Sequence, residues 1–249
     1  MTNKVKVVLP AYNEELAIGR VLQAVQEAME EAALHYSVIV VDDGSTDSTS
    51  EVVKAFSQTI SLQLVNHQVN RGLAEAVKTG LFKALEDSVD NDIIVTMDSD
   101  DSHIPGLILS MVRMIREGND VVIASRFTKN SHIRGVPFLR QVMSWGVSVL
   151  FRLILPIRGV KDFSCGYRAY RAGILKKAVE EYGGTFLNQP GFSCMVDILV
   201  KLRRLDPIIT EVPLILRYDR KPGASKMNVS KTVRETLLLL FKRRLGIDD

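Results

Sequence analysis

The sequence predicts an α/β protein in which an open, mostly parallel sheet carries helices on both faces. Three observations lead there. Short β-branched runs recur through the first half, apolar residues at helical spacing separate them, and each run ends in a polar cluster.

The strands are expected at 5–9, 38–41, 62–65, 93–97 and 121–124. Between them Leu16, Val21, Leu22, Val25 and Met29 repeat at helical spacing, as do Ala76, Gly80, Leu81 and Leu85. The second half loses this rhythm. It reads as a helix over 137–155, an irregular stretch over 162–170, and helices over 173–182 and 194–204. A strand pair over 208–216, a loop over 217–228 containing Pro222 and Gly223, and an amphipathic helix over 230–245 complete the chain.

Composition narrows the function. With 249 residues, 46% of them hydrophobic, the chain has the size that one core organises. A net charge of +3 and an aromatic content of 6% supply neither the field nor the stacking platforms of a nucleic-acid binder. Residues 217–249 nevertheless hold nine Lys/Arg against four Asp/Glu, so the basic end is C-terminal. Cys165 and Cys194 stand in no ligand-like spacing and read as free buried thiols of a reducing compartment. The N-terminal residues lack a signal-peptide pattern, and no run of about 18 uncharged apolar residues occurs. A cytoplasmic chain without a conventional membrane span is expected.

Ligands of open α/β sheets bind beyond the carboxyl ends of the strands, so the residues after each strand carry the functional information. Asp98 and Asp100 are two apart at a strand end, where alternate residues project to one side. Both carboxylates can then reach one Mg²⁺ or Mn²⁺, whose shell substrate phosphates complete at roughly 2.1 Å. The same residues with Asp101 could instead form a solvated turn capping the helix after Pro105. Asp42 and Asp43 close the second strand and suit contact with a base or ribose, while Asp47 reads as a helix cap. After the first strand, Asn13, Glu14 and Glu15 can be explained by capping, but Tyr12 cannot. Among the four histidines, His103 follows the acidic cluster, and all four read as structural or surface residues. No G-x-G-x-x-G follows the first strand, which disfavours a dehydrogenase.

These clusters, PAYNEE, VVDDGSTDST, NRGLAEAVKTG, MDSDDSHIP and ASRF, stand in the order and spacing of family 2 glycosyltransferases, and the chain resembles the dolichol-phosphate mannose synthases most. The resemblance continues through 140–144, 162–168 and YDRKPGASK, so it covers nearly the whole chain. It implies a GT-A-type nucleotide-sugar-binding sheet in a single domain. Residues 1–216 would form the body, and 217–249 a phosphate-binding loop and basic helix of the same domain. Pro10, Tyr12, Glu14 and Asp43 would contact the nucleoside, with Val41 lining that pocket. Asp98 and Asp100 would hold the divalent cation, and Ser99 would offer its backbone to the donor. Arg126, Arg220 and Lys226 would meet the phosphates, and Arg140 and Ser144 the phosphate of a lipid acceptor. Ser99 stands where Ala is usual, and ASR replaces the commoner GSR or GTR.

The chemistry of those groups is compatible. Guanidinium grips oxyanions in bidentate fashion and ammonium supplies a point charge, although Arg220 and Lys226 also suit a solvated loop. The Pro-Gly-Ala-Ser between them suggests a lid. The helix after Pro137 repeats Arg140, Ser144, Ser148 and Arg152 along an otherwise apolar surface. Such a helix is either buried in the core or lies in a membrane interface, a role in which the basic C-terminal helix would join it.

The expected activity is a metal-assisted, inverting transfer from a nucleoside diphosphate sugar to a polyprenyl (dolichyl-type) phosphate, with GDP-mannose as the donor the resemblance implies. An ionised acceptor phosphate needs little base, and Asp162 would be the base for a hydroxyl acceptor. Asp162 could equally pair with Arg168. Peripheral attachment to the cytoplasmic face of a membrane follows, with a small membrane-anchoring subunit as a further partner. A UDP-sugar donor, a soluble acceptor, or a non-catalytic nucleotide-binding protein are the rival readings.

Overall fold

The computed structural model describes residues 3–191 and 193–223. Five strands form where the β-branched runs stand: β1 (Val5–Ala11), β2 (Tyr36–Asp42), β3 (Leu62–Asn66), β4 (Ile93–Thr96) and β5 (Val121–Ser125). Val5, Val7, Val8 and Leu9 of β1 are all buried, because both faces of the strand are covered and the usual alternation is lost. Lys6 is buried too. Its ammonium reaches the Ala84 carbonyl at 2.7 Å and the Asp87 carboxylate, at the end of the helix α3 (Leu73–Leu85).

The sheet has seven strands in the order β3-β2-β1-β4-β7-β5-β8. Strands β1 to β4 pair in parallel, as do β5 and β8 (Ile209–Pro213), whereas β7 (Arg168–Arg171) runs antiparallel between β4 and β5. Helices α1 (Ile18–Glu31) and α3 form at the expected apolar repeats, α2 (Thr49–Phe56) and α4 (Leu107–Arg116) follow Asp47 and Pro105, and α6 (Ala172–Tyr182) and α7 (Ser193–Arg203) follow β7.

Two expectations need correction. The stretch over 162–170 is not wholly irregular, since its end is β7, a central strand. Its letters, Arg-Ala-Tyr-Arg, hide this because Arg168 is wholly buried and donates to the carbonyls of Met195 and Phe163, each at 2.7 Å. Nor do the strands over 208–216 pair with each other. β8 joins the main sheet, while β9 (Ile215–Arg217) pairs in parallel with β6 (His132–Arg134) in a separate two-stranded sheet.

Helix α5 (Phe138–Ile154) is apolar on two sides, one of which packs on the core through Val147, Leu150, Phe151 and Ile154. Its only buried residues are Ser148, whose hydroxyl donates to the Lys161 carbonyl, and Phe151, stacked on Phe163 with ring centres 5.2 Å apart. Phe138, Leu139, Val142, Trp145 and Leu153 are instead exposed, Phe138 by 80%. The core reading of this helix therefore fails for those side chains. No helix among the described residues is long and apolar enough to cross a membrane. Cys165 and Cys194 are free and buried, as expected, and burial pushes each thiol up to about 12.

Candidate active site

Beyond the carboxyl ends of β1, β2, β4 and β5 lies a cavity of about 510 Å³, closed on its far side by α5 and the small sheet. Each wall can be traced to local chemistry.

The first two strand ends interlock. Asn13 adopts a positive φ of 51° and accepts at its side-chain oxygen from Thr46 N–H at 2.8 Å. The Glu15 carboxylate accepts from Ser48 N–H at 2.9 Å, and Asp47 from Thr49 N–H at 3.0 Å. Asn13 and Glu15 thus cap the turn that opens α2 and not their own helix. This leaves Tyr12 and Glu14 on the cavity wall beside Pro10.

Asp43 also reaches that wall, held from behind. One oxygen accepts from Arg71 N–H at 2.9 Å and lies 2.6 Å from Nδ1 of the buried His67, and the other accepts from Gly72 N–H at 2.7 Å. The chain can approach this closely because Gly44 takes φ +71°, and a Cβ there would sit 2.5 Å from the Val69 carbonyl carbon. Gly44→Ala is expected to destabilise the protein by about 2 kcal/mol. Chemical denaturation checks it. Val41 is buried in the core directly before this turn and does not reach the cavity wall.

Four residues after β4 take different directions. Ser99 is buried and donates to the Pro10 carbonyl at 2.7 Å, so the hydroxyl that an alanine would lack ties β4 to β1. Asp98 and Asp100 both face the cavity, whereas Asp101, at φ +63°, turns outward to Arg20. Asp98 donates its N–H to Nδ1 of His103, whose ring lies 5.0 Å from that of Tyr167. His103 is therefore a wall residue and not a surface one. Burial raises the Asp98 carboxyl above the ordinary range, with the Asp100 charge adding to it against His103. Burial acts on Asp100 in the same direction, but the Lys221 ammonium at 2.5 Å and the Ser102 hydroxyl at 2.5 Å outweigh it and hold Asp100 low.

This donor set fits Mg²⁺ or Mn²⁺. Asp98 and Asp100 offer hard oxygens, and among the described residues no group of three His, Cys, Asp or Glu could close a protein-only shell. Substrate phosphate and water would supply the rest, which is how these ions are commonly bound.

The opposite wall is basic. Arg126, after β5, donates from Nε and Nη2 to the two oxygens of Asp162 at 2.8 and 2.7 Å, and from Nη2 to Ser164 at 2.7 Å. Asp162 is wholly buried, also accepts from the N–H groups of Ser164 and Cys165, and is not on the cavity wall. Burial alone would raise its carboxyl, but Arg126 lowers it below the ordinary value. Asp162 thus pairs with Arg126, not Arg168, and a carboxylate so engaged is poorly placed to take a proton. Arg140 and Ser144 of α5 reach the wall, and Arg140 donates to the Tyr218 hydroxyl at 2.9 Å, its guanidinium 5.1 Å from that ring.

The strap after β9 brings Lys221 to the cavity and leaves Arg220 off its wall. Sequence reasoning overlooked Lys221 and Tyr218, because they stand among letters that also fit a solvated loop. Lys226 and the helix expected over 230–245 lie outside the described residues.

A family model described as Glycosyl transferase family 2 matches residues 6–179. The dolichol-phosphate mannosyltransferase of Pyrococcus furiosus is 32% identical over 240 residues, which cover 96% of this chain and 63% of that protein. The chain thus spans less than two thirds of that relative's length. The undecaprenyl-phosphate mannosyltransferase of Micrococcus luteus is 31% identical over 230 residues, covering 90% of this chain and 88% of that one. The polyprenol monophosphomannose synthase of Mycolicibacterium smegmatis is 28% identical over 242 residues, covering 95% and 85%. Among solved structures, glucosyl-3-phosphoglycerate synthase from Mycobacterium tuberculosis, in complex with Mn²⁺, uridine diphosphate and glucosyl-3-phosphoglycerate, superposes with a TM-score of 0.65. That match has 22% identity and covers 99% of this chain and 81% of that one, so it speaks for the fold, the expected GT-A arrangement.

Proposed function

Because the chain belongs to glycosyl transferase family 2, we propose that it transfers a sugar from a nucleoside diphosphate donor to a polyprenyl phosphate, assisted by a divalent ion at Asp98 and Asp100. The observation that carries this is the convergence of two walls on one cavity. Tyr12, Glu14, Asp43, Asp98, Asp100 and Arg126 suit a nucleoside and a metal-bound diphosphate, while Arg140 and Ser144 face them with the charge and hydroxyl an acceptor phosphate needs. The sugar is read as mannose, because the relatives bear mannosyltransferase or mannose synthase names, and GDP-mannose is the donor that the sequence resemblance implies.

The residues' part is mainly positioning. Tyr12 and Glu14 seat the nucleoside. Arg140 and Ser144 fix the acceptor phosphate so that one oxygen attacks the anomeric carbon from the side opposite the departing diphosphate, which inverts that centre. The attacking oxygen is already ionised near neutral pH, so alignment and charge neutralisation do most of the work and no protein base is required. A bound Mg²⁺ or Mn²⁺ would supply the Lewis acidity that stabilises charge on the diphosphate. Arg126, braced by Asp162, adds a fixed positive charge at the same place.

Transfer of labelled mannose from GDP-mannose to a polyprenyl phosphate in detergent, with Mn²⁺ or with EDTA, tests the reading. Product that needs both metal and phosphorylated polyprenol is expected. Equal product in EDTA, or product only with a soluble hydroxyl acceptor, would overturn it.

The lipid acceptor also gives the exposed face of α5 a purpose. Phe138, Leu139, Trp145 and Leu153 sit on the helix that carries Arg140 and Ser144, so inserting them at a bilayer surface would bring the phosphate site to the headgroups. Each buried large side chain is worth about 1.5–3 kcal/mol. Trp145→Glu combined with Leu153→Glu is therefore expected to weaken liposome association at least about ten-fold while leaving nucleotide binding unchanged. Flotation with vesicles of anionic lipid measures this, and flotation indifferent to both changes would remove α5 from the membrane contact.

A further inference from the structure

One contact in the cavity belongs to neither wall. The Lys221 ammonium lies 2.5 Å from Oδ2 of Asp100, and both side chains are only 12% exposed. Oδ1 of Asp100 is already committed, accepting from the N–H of Ser102 at 3.1 Å and its hydroxyl at 2.5 Å. Oδ2 is thus the oxygen that Ser102 leaves for a cation, and a cation already sits on it.

We propose that Lys221 is an internal counter-cation of Asp100, keeping the carboxylate paired in the metal-free protein and exchanging places with the divalent ion. This rests on the reading of Asp98 and Asp100 as the metal carboxylates. An ammonium is a compact point charge, and of the two basic side chains it is the one that most resembles a metal ion. A metal ion binds carboxylate oxygen at roughly 2.1 Å, so ion and ammonium exclude one another from Oδ2.

The surrounding strap permits the exchange. Lys221 follows the turn Tyr218–Arg220, and that turn is anchored independently, because the Tyr218 hydroxyl accepts from Arg140 and the preceding Arg217 N–H donates to the Ser102 carbonyl at 2.8 Å. The Lys221 ammonium also lies 5.8 Å from the Tyr218 ring, whose face can keep it near the cavity once it leaves the carboxylate. The consequence is an ordered site. Metal alone must displace a bonded ammonium, whereas metal arriving with a diphosphate brings the negative charge that the displaced ammonium then meets.

The test is an Mn²⁺ titration of the full chain without nucleotide, followed by the electron paramagnetic resonance of the free ion. Lys221→Gln is expected to bind Mn²⁺ about ten-fold tighter than the parent, the scale of one charge-assisted hydrogen bond removed from the competition. Lys221→Arg, which keeps the charge, should stay within about two-fold of the parent. Arg220→Gln removes an equal charge from the neighbouring residue off the cavity wall and should also stay within about two-fold.

Unchanged or weaker binding by Lys221→Gln would overturn the proposal. So would equal tightening by Arg220→Gln, which would reveal a general field and not a seat on the carboxylate. If Mn²⁺ binding is lost in Asp100→Asn yet indifferent to Lys221, the metal reading stands and the counter-cation does not. If neither the parent nor Lys221→Gln binds Mn²⁺, even with nucleoside diphosphate, both fall together.

Discussion

Replacing Asp98 or Asp100 by asparagine is expected to lower sugar transfer by about 10³-fold with little change in the fold. Asparagine preserves shape and, at position 100, can still accept from Ser102. It removes the charge. Because no third His, Cys, Asp or Glu joins them in a metal-binding group among the described residues, each carboxylate is a large part of what the protein can offer a divalent ion. The rate loss follows from the charge on the departing diphosphate, since removing one preorganised group of this kind typically costs about 10²–10³ in turnover, and losing a metal forfeits more. The two variants should differ in detail. Asp100→Asn also releases Lys221, so its remaining ligand field is perturbed twice, and raising Mn²⁺ should rescue Asp98→Asn better. Initial rates against Mn²⁺ concentration, with circular dichroism to confirm folding, check both points. Parent-like rates for either variant in EDTA would remove the metal from the mechanism.

How much of this was legible in the letters follows from what each residue has to do. The strands β1, β2, β3, β4 and β5 announced themselves because a covered parallel sheet needs β-branched residues on both faces, and their polar ends marked the cavity. Asp98, Asp100, Tyr12, Glu14 and Asp43 were visible as polar residues directly after strands. β7 was not, because it is short and satisfies Arg168 through distant carbonyls that no local pattern encodes. The orientation of α5 was likewise hidden. Its polar stripe stands in the letters, but which face meets protein depends on where Lys161 and Phe163 lie in space. Lys221 and Tyr218 escaped notice for a related reason. A charge in a Pro-Gly loop has no sequence signature until the fold puts a carboxylate, 121 positions away, beside it.

The second large effect concerns Asp162, for which two roles make opposite forecasts. If Asp162 served as a base, Asp162→Asn would fold normally and lose only rate, with one limb missing from its pH profile. The geometry favours a brace, since both oxygens are engaged by Arg126, Ser164 and Cys165 and the residue is wholly buried. Removing one partner of a buried pair strands the other, which costs about 3 kcal/mol at the low end suited to an Arg126 side chain that keeps 20% exposure. Asp162→Asn is therefore expected to lose about 3 kcal/mol of stability and most of its transfer rate, because Arg126 no longer holds its place. The cycle with Arg126→Met separates the roles: the double variant should recover much of the stability, having no stranded charge, but none of the rate. The pH dependence has a defined sign. The Asp162 carboxyl is held below its unfolded value of about 4, so its stabilisation is complete above that pH and is lost as pH falls through the folded value. Parent protein should lose stability in acid more steeply than Asp162→Asn, and parallel curves for the two would mean that the pair contributes nothing to holding Arg126 in the cavity.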